Sequence, residues 1–396
     1  MASAFAEFIE GSSRRVADTE GAVAIGGEAT LGDPARKEGF SLGSQLGESD
    51  LNSLPGGYSL VVGGKLKAHQ VVIERGMAVY RALEEVPGGS FAINGPHMAG
   101  ASPVDFGKEF STLRSRSAAW GALTPNGTVE ERAPGEPATF FFEGDQKVNI
   151  FKVSASTLEK ARTIKIKVPA GATTLITVTG TTYDMNRHAT YGVHLWDHTA
   201  GRYVLDDYQA GSPAFKDVRS KLLWNFPQAT EVQKNYASWP GTILAPRAAA
   251  SLGRKSATGE VGPGHVNGSV IARSMTSVSG AETHHMPFRG CLPSEGEEPP
   301  NPTDPPTDPP VNPAPSEPGK PTPGTSTPPP GKTSPTPTPQ LVRGEGPTPS
   351  ASPAPEGDLA STGSDSLALY AGIALVLVAA GTLTVVRAMK RRGQSG

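Results

Sequence analysis

Cysteine, aromatic side chains and net charge are all scarce in this chain of 396 residues. The single cysteine excludes a disulfide framework and any zinc or iron–sulfur site built on several cysteine ligands. Aromatic residues make up 6% of the chain, which argues against one large aromatic-rich core. A formal net charge of −2 gives no electrostatic basis for nucleic acid as the main partner. We therefore expect neither a nuclear factor nor a disulfide scaffold.

Proline and glycine, in contrast, are abundant. The 47 Gly and 38 Pro make up about a fifth of the chain, against ~12% in ordinary proteins. Of these prolines, 23 fall between Pro293 and Pro355, where few apolar side chains are available to form a core. Residues 291–357 are therefore predicted to be a disordered, extended linker that reaches at most roughly 200 Å. The alternative is a ligand for SH3-type domains, since Pro302–Pro305 fits a loose P-x-x-P pattern.

An uncharged hydrophobic run of 20 residues, 367–386, follows the linker. At a rise of ~1.5 Å per residue it forms a helix of ~30 Å, which matches the hydrocarbon thickness of a bilayer. The run predicts one transmembrane helix, with the preceding residues outside the cell and the C-terminus in the cytoplasm. This orientation follows from the basic residues of the tail, Arg387, Lys390, Arg391 and Arg392.

Residues 358–396 together resemble the cell-wall sorting signal of Gram-positive surface proteins. A pentapeptide precedes the hydrophobic run and the basic tail: Leu359, Ala360, Ser361, Thr362 and Gly363. It is similar to the LAxTG form typical of actinobacteria. The resemblance implies that a sortase thiolate attacks the Thr362 carbonyl, releases Gly363 onward and joins Thr362 to a peptidoglycan amine. Sortase and peptidoglycan are thus the expected partners. The membrane holds the chain before sorting, and the cell wall is its final location.

Short β-type runs punctuated by glycine dominate residues 1–290. Two of them contain a Gly-Gly pair, at 26–27 and 63–64, and the phrases 241–245 and 268–272 repeat each other 27 residues apart. Short strands with glycine at the corners favour a β-helix of stacked rungs, although a β-sandwich fits the same turn spacing. The Gly-Gly pairs are predicted to be rung corners and not phosphate-binding loops, because no Gly-Lys-Ser/Thr follows them.

Two helices are predicted to interrupt the strands. The first spans 103–121 with Ser102 as its N-cap, and a shorter one begins at Ser156 with a capping box that ends at Glu159. The fold class is therefore mainly β, a solenoid-like domain with one or two docked helices. The apolar face of the first helix is predicted from helical spacing to contain Phe106, Phe110, Leu113, Ser117 and Trp120.

Seven phrases of the domain form a set in a fixed order: residues 18–27, 60–64, 151–155, 168–171, 223–227, 241–246 and 267–272. They resemble the choice-of-anchor A family of bacterial surface proteins over nearly all of residues 5–290. The resemblance implies an adhesive, β-helical domain displayed at the cell surface, and it supplies no catalytic residues. Because residues 1–10 lack a basic region followed by an apolar stretch, we expect a signal peptide upstream of Met1.

Three groups of polar residues are candidates for chemistry. His194 and His198 have the i, i+4 spacing of metal ligands without a clear third ligand, and 284–285 is a second histidine pair. Asp206 and Asp207 suggest the carboxylates of a glycoside hydrolase, but adjacent residues of a strand point to opposite faces. We therefore expect no catalytic site, no metal and no cofactor.

The sequence thus predicts a secreted, wall-anchored surface protein that is not an enzyme. Its β domain is expected to be adhesin-like and to bind an unknown extracellular ligand, or to serve as a structural part of the envelope. A surface-anchored carbohydrate-active enzyme built on a β-helix is the alternative. The hypotheses differ in whether an acidic cluster lines a groove of the β stack.

Overall fold

The computed structural model describes residues 1–132, 138–188, 190–207, 213–253, 264–277 and 280–293, all within one compact unit, Met1–Val311. The second unit, Asn312–Gly396, lies outside the described residues, and with it the sorting signal and the predicted transmembrane helix. Within the described ranges, no helix is long and apolar enough to cross a membrane.

Short strands supply most of the regular structure. In the first part of the chain they are β1 (Glu7–Ile9), β2 (Ser13–Arg15), β3 (Ala17–Thr19), β4 (Val23–Ile25), β5 (Ala29–Leu31), β6 (Phe40–Leu42), β7 (Tyr58–Ala68), β8 (Val71–Ile73), β9 (Met77–Glu85), β10 (Ile93–Asn94) and β11 (His97–Ala99). In the later part they are β12 (Thr128–Arg132), β13 (Ala138–Glu143), β14 (Val148–Ser154), β15 (Ala161–Lys167), β16 (Thr173–Thr179), β17 (Thr182–Asp184), β18 (Gly192–Asp197), β19 (Arg202–Leu205), β20 (Leu222–Asn225), β21 (Glu231–Gln233), β22 (Trp239–Pro240), β23 (Thr242–Leu252), β24 (Val266–Asn267) and β25 (Val270–Ser277). The helices are α1 (Glu48–Ser53), α2 (Phe106–Ala122), α3 (Ala155–Leu158) and α4 (Pro213–Ser220), with 3₁₀ turns at Ala2–Ala4 and Pro55–Gly57.

Parallel pairing stacks these strands into a β-helix with three faces. Face A contains β1, β4, β11, β14, β16, β20 and the first parts of β7, β9, β23 and β25. Face B contains β2, β5, β17, β21 and the second parts of the same four strands. Face C contains the sheets β10-β8-β6-β3, β22-β24 and β12-β13-β15-β18-β19. Among these strands only β12 with β13 and β18 with β19 pair antiparallel. The β-helix is therefore confirmed, and the β-sandwich is excluded.

The order of the rungs in space differs from their order in the sequence. β1, β4, β7, β9 and β11 follow one another toward one end of the stack, whereas β14, β16, β20, β23 and β25 run from the other end back to the middle. β25 lies beside β1, with Ile271 opposite Phe8. On face C, Thr283 bridges Thr19. The first and last rungs of the chain therefore meet inside the stack, at a junction that we term the seam.

Helix α2 follows the N-terminal rungs in the chain and packs on face A. Phe8 of β1 stacks on Phe106 and on Phe110, with ring centroids 5.4 Å apart in each case. The Asp105 carboxylate caps the helix by accepting a backbone N–H of the first turn at 3.0 Å. The predicted apolar face is confirmed, but the helix begins later than predicted because Asp105, and not Ser102, is its N-cap.

Apolar side chains fill two layers. One occupies the interior of the β-helix, and the other lies between face A and α2. The strands of face A serve both layers, since Val23 and Ile25 point inward while Ala24 points toward the helix. The second predicted helix, α3, is capped by Ser154 and not by Ser156, and it is a single turn ahead of β15.

Glycine pairs mark the corner between faces A and B, as the sequence predicts. A Cβ atom on Gly63 would lie 2.5 Å from the carbonyl oxygen of Gly26, and one on Gly64 would lie 2.6 Å from that of Gly27. Real Cβ atoms do not approach backbone oxygens this closely. Glycine is therefore needed here for consecutive rungs to stack without displacing the backbone.

Candidate binding surface

Three aromatic side chains point outward from the sheet formed by β12, β13, β15, β18 and β19. Phe141, Trp196 and Tyr203 are half-buried, whereas their strand neighbours Phe140 and Leu195 are buried in the core. Trp196 and Tyr203 lie opposite each other on β18 and β19, with ring centroids 5.0 Å apart. We term Phe141, Trp196 and Tyr203 the aromatic platform.

Positive side chains lie over the rings of the aromatic platform. The Lys167 ammonium is 4.1 Å from the centroid of the Trp196 ring. The Lys165 ammonium is 5.0 Å from the Phe141 ring and 5.3 Å from the Tyr203 ring. At exposed sites such cation–π contacts contribute about 0.5–1 kcal/mol each. The platform therefore combines apolar ring surface with charged groups that can form hydrogen bonds.

One carboxylate, Glu143, ties the edge of the platform together. Arg132 donates to it from two nitrogens, at 2.6 and 3.3 Å, and the Tyr203 hydroxyl donates to it at 3.0 Å. The hydrogen bond from Arg132 makes the largest contribution to holding the pKa of Glu143 below its usual range. Burial and the bond to Glu143 raise the pKa of Tyr203, so its hydroxyl stays protonated at neutral pH. These contacts fix the ring of Tyr203 in place.

Face B is also exposed, and two pairs of its charged side chains form ion pairs. Lys67 lies 2.8 Å from Glu28, and Lys65 lies 3.1 Å from Glu84. Toward β17, the outward side chains of the face are small or polar: Thr182, Asp184, Glu231, Gln233, Ala249, Ser251, Ser274 and Thr276. Face B is thus a polar sheet whose described strands present no outward aromatic side chain.

A buried ion pair lies inside the seam. The side chains of Arg15 and Glu7 are fully buried and approach to 2.9 Å. The Glu7 carboxylate also accepts the hydroxyl groups of Thr19 at 2.9 Å and Thr283 at 2.8 Å. Arg15 donates in addition to the carbonyl oxygen of Ala281 at 2.8 Å. These bonds join the first rung to the segment that follows β25.

A second polar group lies on the outside of the same rungs. His265, Glu282 and His284 each bring one ring nitrogen or carboxylate oxygen to within 4.8 Å of the others, and no other such trio occurs among the described residues. The Asp18 carboxyl forms a hydrogen bond with Glu282. Burial and the charge of Glu282 raise the pKa of Asp18 to about 7, and burial lowers the pKa of His265. We term Asp18, His265, Glu282 and His284 the seam cluster.

A chain of buried hydrogen bonds orients His284. Arg219 donates to one oxygen of Asp206 at 2.7 Å, and Asn267 Nδ2 donates to the other oxygen at 2.7 Å. The Asn267 amide therefore turns its oxygen toward His284 Nδ1, which lies 2.6 Å away. Because an amide oxygen only accepts, Nδ1 of His284 donates in this hydrogen bond. Nε2 faces Glu282 at 3.3 Å.

The comparison with protein families gives one match over this β-helix. The family model described as "Putative Ice-binding-like adhesive domain" matches residues 1–285. The chain belongs to this family. The match agrees with the expected adhesive-type domain, and the strand pairing described above establishes its β-helical fold. No curated protein matches the chain.

Two solved ice-binding structures are similar to this adhesive domain. The ice-binding protein of the Antarctic ascomycete Antarctomyces psychrotrophicus has 11% identity and a TM-score of 0.28, over 72% of this chain and 96% of that one. The domain of ice-binding protein 1 from Shewanella frigidimarina has 12% identity and a TM-score of 0.26, over 72% of this chain and 94% of that one. The architecture of the adhesive domain rests on its own strand pairing.

The residues assigned to sorting from the sequence stay predictions. They lie outside the described part of the chain: Leu359, Ala360, Ser361, Thr362, Gly363, Arg387, Lys390, Arg391 and Arg392.

The histidine pair of the sequence analysis does not form a metal site within the described residues. His194 lies on β18, where burial is the main cause of its lowered pKa and the nearby Lys165 charge adds to it. His198 follows the strand and places Nε2 2.8 Å from the carbonyl oxygen of Val168. The adhesive domain therefore uses the two histidines in separate local contacts.

The other two candidate pairs are also split by the fold. Asp206 is buried against Arg219, whereas Asp207 is exposed, so the two carboxyl groups do not face one groove. His285 lies 3.5 Å from Asp50, away from the partners of His284. The two histidines of 284–285 thus have separate partners, and His284 belongs to the seam cluster.

Sequence reasoning missed both the aromatic platform and the full seam cluster. Phe140 to Phe142 form a continuous apolar run, which hides the fact that Phe141 alone points outward. A signal was present in the alternation of β15, where Lys165 and Lys167 mark the outward face of the sheet. No local signal connects Asp18 with the histidines, because the seam joins opposite ends of the domain.

Proposed function

We propose that the protein is a cell-wall-anchored adhesin whose β-helical domain binds glycan polymers through the aromatic platform. Membership in an adhesive family supports a binding role. The aromatic platform is the reason for proposing this surface as the binding site. Face A is covered by α2, and the described strands of face B carry ion pairs and no outward aromatic side chain. The platform brings three aromatic rings and two lysine side chains together on one sheet.

The chemistry of the platform fits a sugar chain. A sugar ring has an apolar C–H face that packs on an aromatic ring, and its hydroxyl groups form hydrogen bonds with charged side chains. Trp196 and Tyr203 supply ring surface, while Lys165, Lys167 and Glu143 supply donors and acceptors at its margin. Because these residues stand on paired strands, their geometry is fixed before a ligand arrives.

Display at the surface is the second part of the proposal. By resemblance to choice-of-anchor A proteins with an LAxTG signal, sortase cleaves between Thr362 and Gly363 and joins the chain to peptidoglycan. The proline-rich linker, 291–357, then carries the domain outward from the wall. The protein has no catalytic role in this account, since the Asp206 carboxylate is held by Arg219 inside the domain.

A binding assay with single ring removals tests the proposal. The wild-type protein and the Trp196→Ala variant are applied to insoluble chitin, to cellulose and to an array of immobilised glycans. We expect the wild type to bind at least one glycan class, and the variant to lose about 30-fold in affinity, because removal of a central aromatic anchor costs ~2 kcal/mol or more.

A matched control is Phe91→Ala, which removes an aromatic side chain that is 37% exposed and lies just before β10, in the N-terminal half of the stack. This variant is expected to bind as the wild type does. Equal binding by the wild type and Trp196→Ala would contradict the assignment of the platform. Failure of the wild type to bind any glycan would contradict the ligand class.

A further inference from the structure

Atoms that carry lone pairs converge in the seam cluster. His284 Nε2 lies 3.3 Å from Glu282 Oε2, and His265 Nδ1 lies 3.5 Å from the same oxygen. In a tetrahedral zinc site with bonds of about 2.0–2.1 Å, neighbouring ligand atoms are about 3.4 Å apart. Two separations already have this value. The third lies within 4.8 Å, so a movement of at most about 1.5 Å would complete the set.

The hydrogen bonds around His284 fix the orientation of its ring. Its Nδ1 donates to the Asn267 amide oxygen, and its Nε2 lies 3.3 Å from Glu282 Oε2 on the other side of the ring. Metal-binding histidines commonly direct the second ring nitrogen to a carbonyl or carboxylate in this way, which fixes the ring for coordination.

His265 presents the same chemistry from the other side of Glu282. Its Nδ1 accepts the backbone N–H of Glu282 at 3.3 Å, so this nitrogen carries a lone pair, and a metal ion would replace that long hydrogen bond. Asp18 adds a second carboxyl group that is hydrogen-bonded to Glu282. Two imidazoles with one or two carboxylates are a donor set for zinc and related ions, and not for Ca²⁺ or Mg²⁺, which require mainly oxygen ligands.

We propose that the seam cluster binds one divalent transition-metal ion of the zinc class through His265, Glu282 and His284. Asp18 is placed to act as a further ligand or to accept a hydrogen bond from a metal-bound water. The ion would join β3, at the start of the chain, to the residues around β24 and to the segment after β25. It would therefore clamp the seam from outside, as the Glu7–Arg15 pair does from inside.

Cobalt and zinc titrations of the full-length protein test this proposal independently of glycan binding. After chelator treatment, Co²⁺ and then Zn²⁺ are added while visible absorption and the thermal unfolding midpoint are followed. We expect one Co²⁺ per chain with the visible absorption bands of a tetrahedral centre, its displacement by one Zn²⁺, and a higher midpoint with metal than without.

Two variants and one control locate the ion. His265→Ala and Glu282→Gln are expected to weaken Co²⁺ binding by well over tenfold, since even loss of an outer partner costs 10- to 100-fold. Both change half-exposed side chains, and circular dichroism of the metal-free proteins checks that they fold. His188→Ala changes an exposed histidine outside the cluster and is expected to bind Co²⁺ as the wild type does.

Two results would overturn the proposal. Absence of Co²⁺ binding by the wild type would mean that hydrogen bonds and ion pairs alone hold the cluster together. Equal binding by the wild type, His265→Ala and Glu282→Gln would place the ion elsewhere on the chain.

Discussion

The buried ion pair at the seam should behave as a single unit. Arg15 and Glu7 have no side-chain exposure, and they lie 2.9 Å apart. In Glu7→Gln the guanidinium of Arg15 stays buried without a negative partner. In Arg15→Met the carboxylate of Glu7 stays buried without a positive partner. Breaking a buried pair from one side costs about 3–5 kcal/mol of unfolding free energy, because a charge is left uncompensated.

The double variant Glu7→Gln/Arg15→Met removes both charges together. The glutamine keeps the size of the side chain and can still accept from Thr19 and Thr283, while methionine fills the space of the arginine stem. Replacing a buried pair with uncharged residues is often close to neutral. We therefore expect the double variant to be more stable than either single variant, with a coupling free energy of at least about 3 kcal/mol.

Urea unfolding followed by tryptophan fluorescence measures these free energies, since Trp224 and Trp239 are buried in the core. The control is the pair Lys65–Glu84, which is 3.1 Å apart and 47% exposed on each side. Its cycle, with Lys65→Met and Glu84→Gln, should give a coupling below about 1 kcal/mol. The losses of the two single variants at the seam could instead add up to the loss of the double variant within about 0.5 kcal/mol. This result would refute the claim that burial makes Glu7 and Arg15 interdependent.

Three further predictions concern packing, rung corners and pH. Phe8→Ala should lower the unfolding free energy by about 3–5 kcal/mol, because its ring is fully buried between β1 and α2; urea unfolding measures the loss, and a loss below about 1 kcal/mol would contradict it. Gly63→Ala should cost about 1–3 kcal/mol, since its Cβ would meet the Gly26 carbonyl oxygen at 2.5 Å. The control Gly107→Ala, in the first turn of α2 with only an ordinary contact, should instead stabilise by about 0.5–1 kcal/mol in the same assay. Burial lowers the pKa of Lys234 from 10.5 to about 7 in the folded state. Between pH 7 and 10.5 the unfolded state therefore binds a proton that the folded state has lost, and the unfolding free energy rises with pH. In urea unfolding at several pH values this rise should appear in the wild type and be absent from Lys234→Met; parallel pH profiles of the two would show that Lys234 titrates normally in the fold.

The sequence is informative where the cause of a structure is local. The Gly-Gly pairs at 26–27 and 63–64 are required by the close approach of two rungs, and their spacing shows them to be corners. The apolar spacing of Phe106 and Phe110 likewise predicts which side of α2 faces the strands. The sequence predicts the wrong N-cap, because Ser102 and Asp105 are both good capping residues and only the path of the chain decides between them.

Features that depend on the order of the rungs could not be predicted. The partner of β1 is β25, at the other end of the domain, and nothing in either segment specifies this pairing. The burial of Glu7 and Arg15 and the grouping of Asp18 with His284 follow only from it. Similarly, Trp196 and Tyr203 become one surface only after β18 and β19 pair.

Covalent display at the wall is the central claim that one measurement tests most directly. The wall fraction of the producing cells is released with muramidase, and its tryptic peptides are analysed by mass spectrometry. The account predicts a C-terminal peptide that ends at Thr362 and carries a peptidoglycan stem fragment, and the loss of this peptide in Thr362→Ala. Recovery of intact peptides that continue beyond Gly363, from the membrane fraction alone, would contradict the account and indicate a membrane protein with a single span.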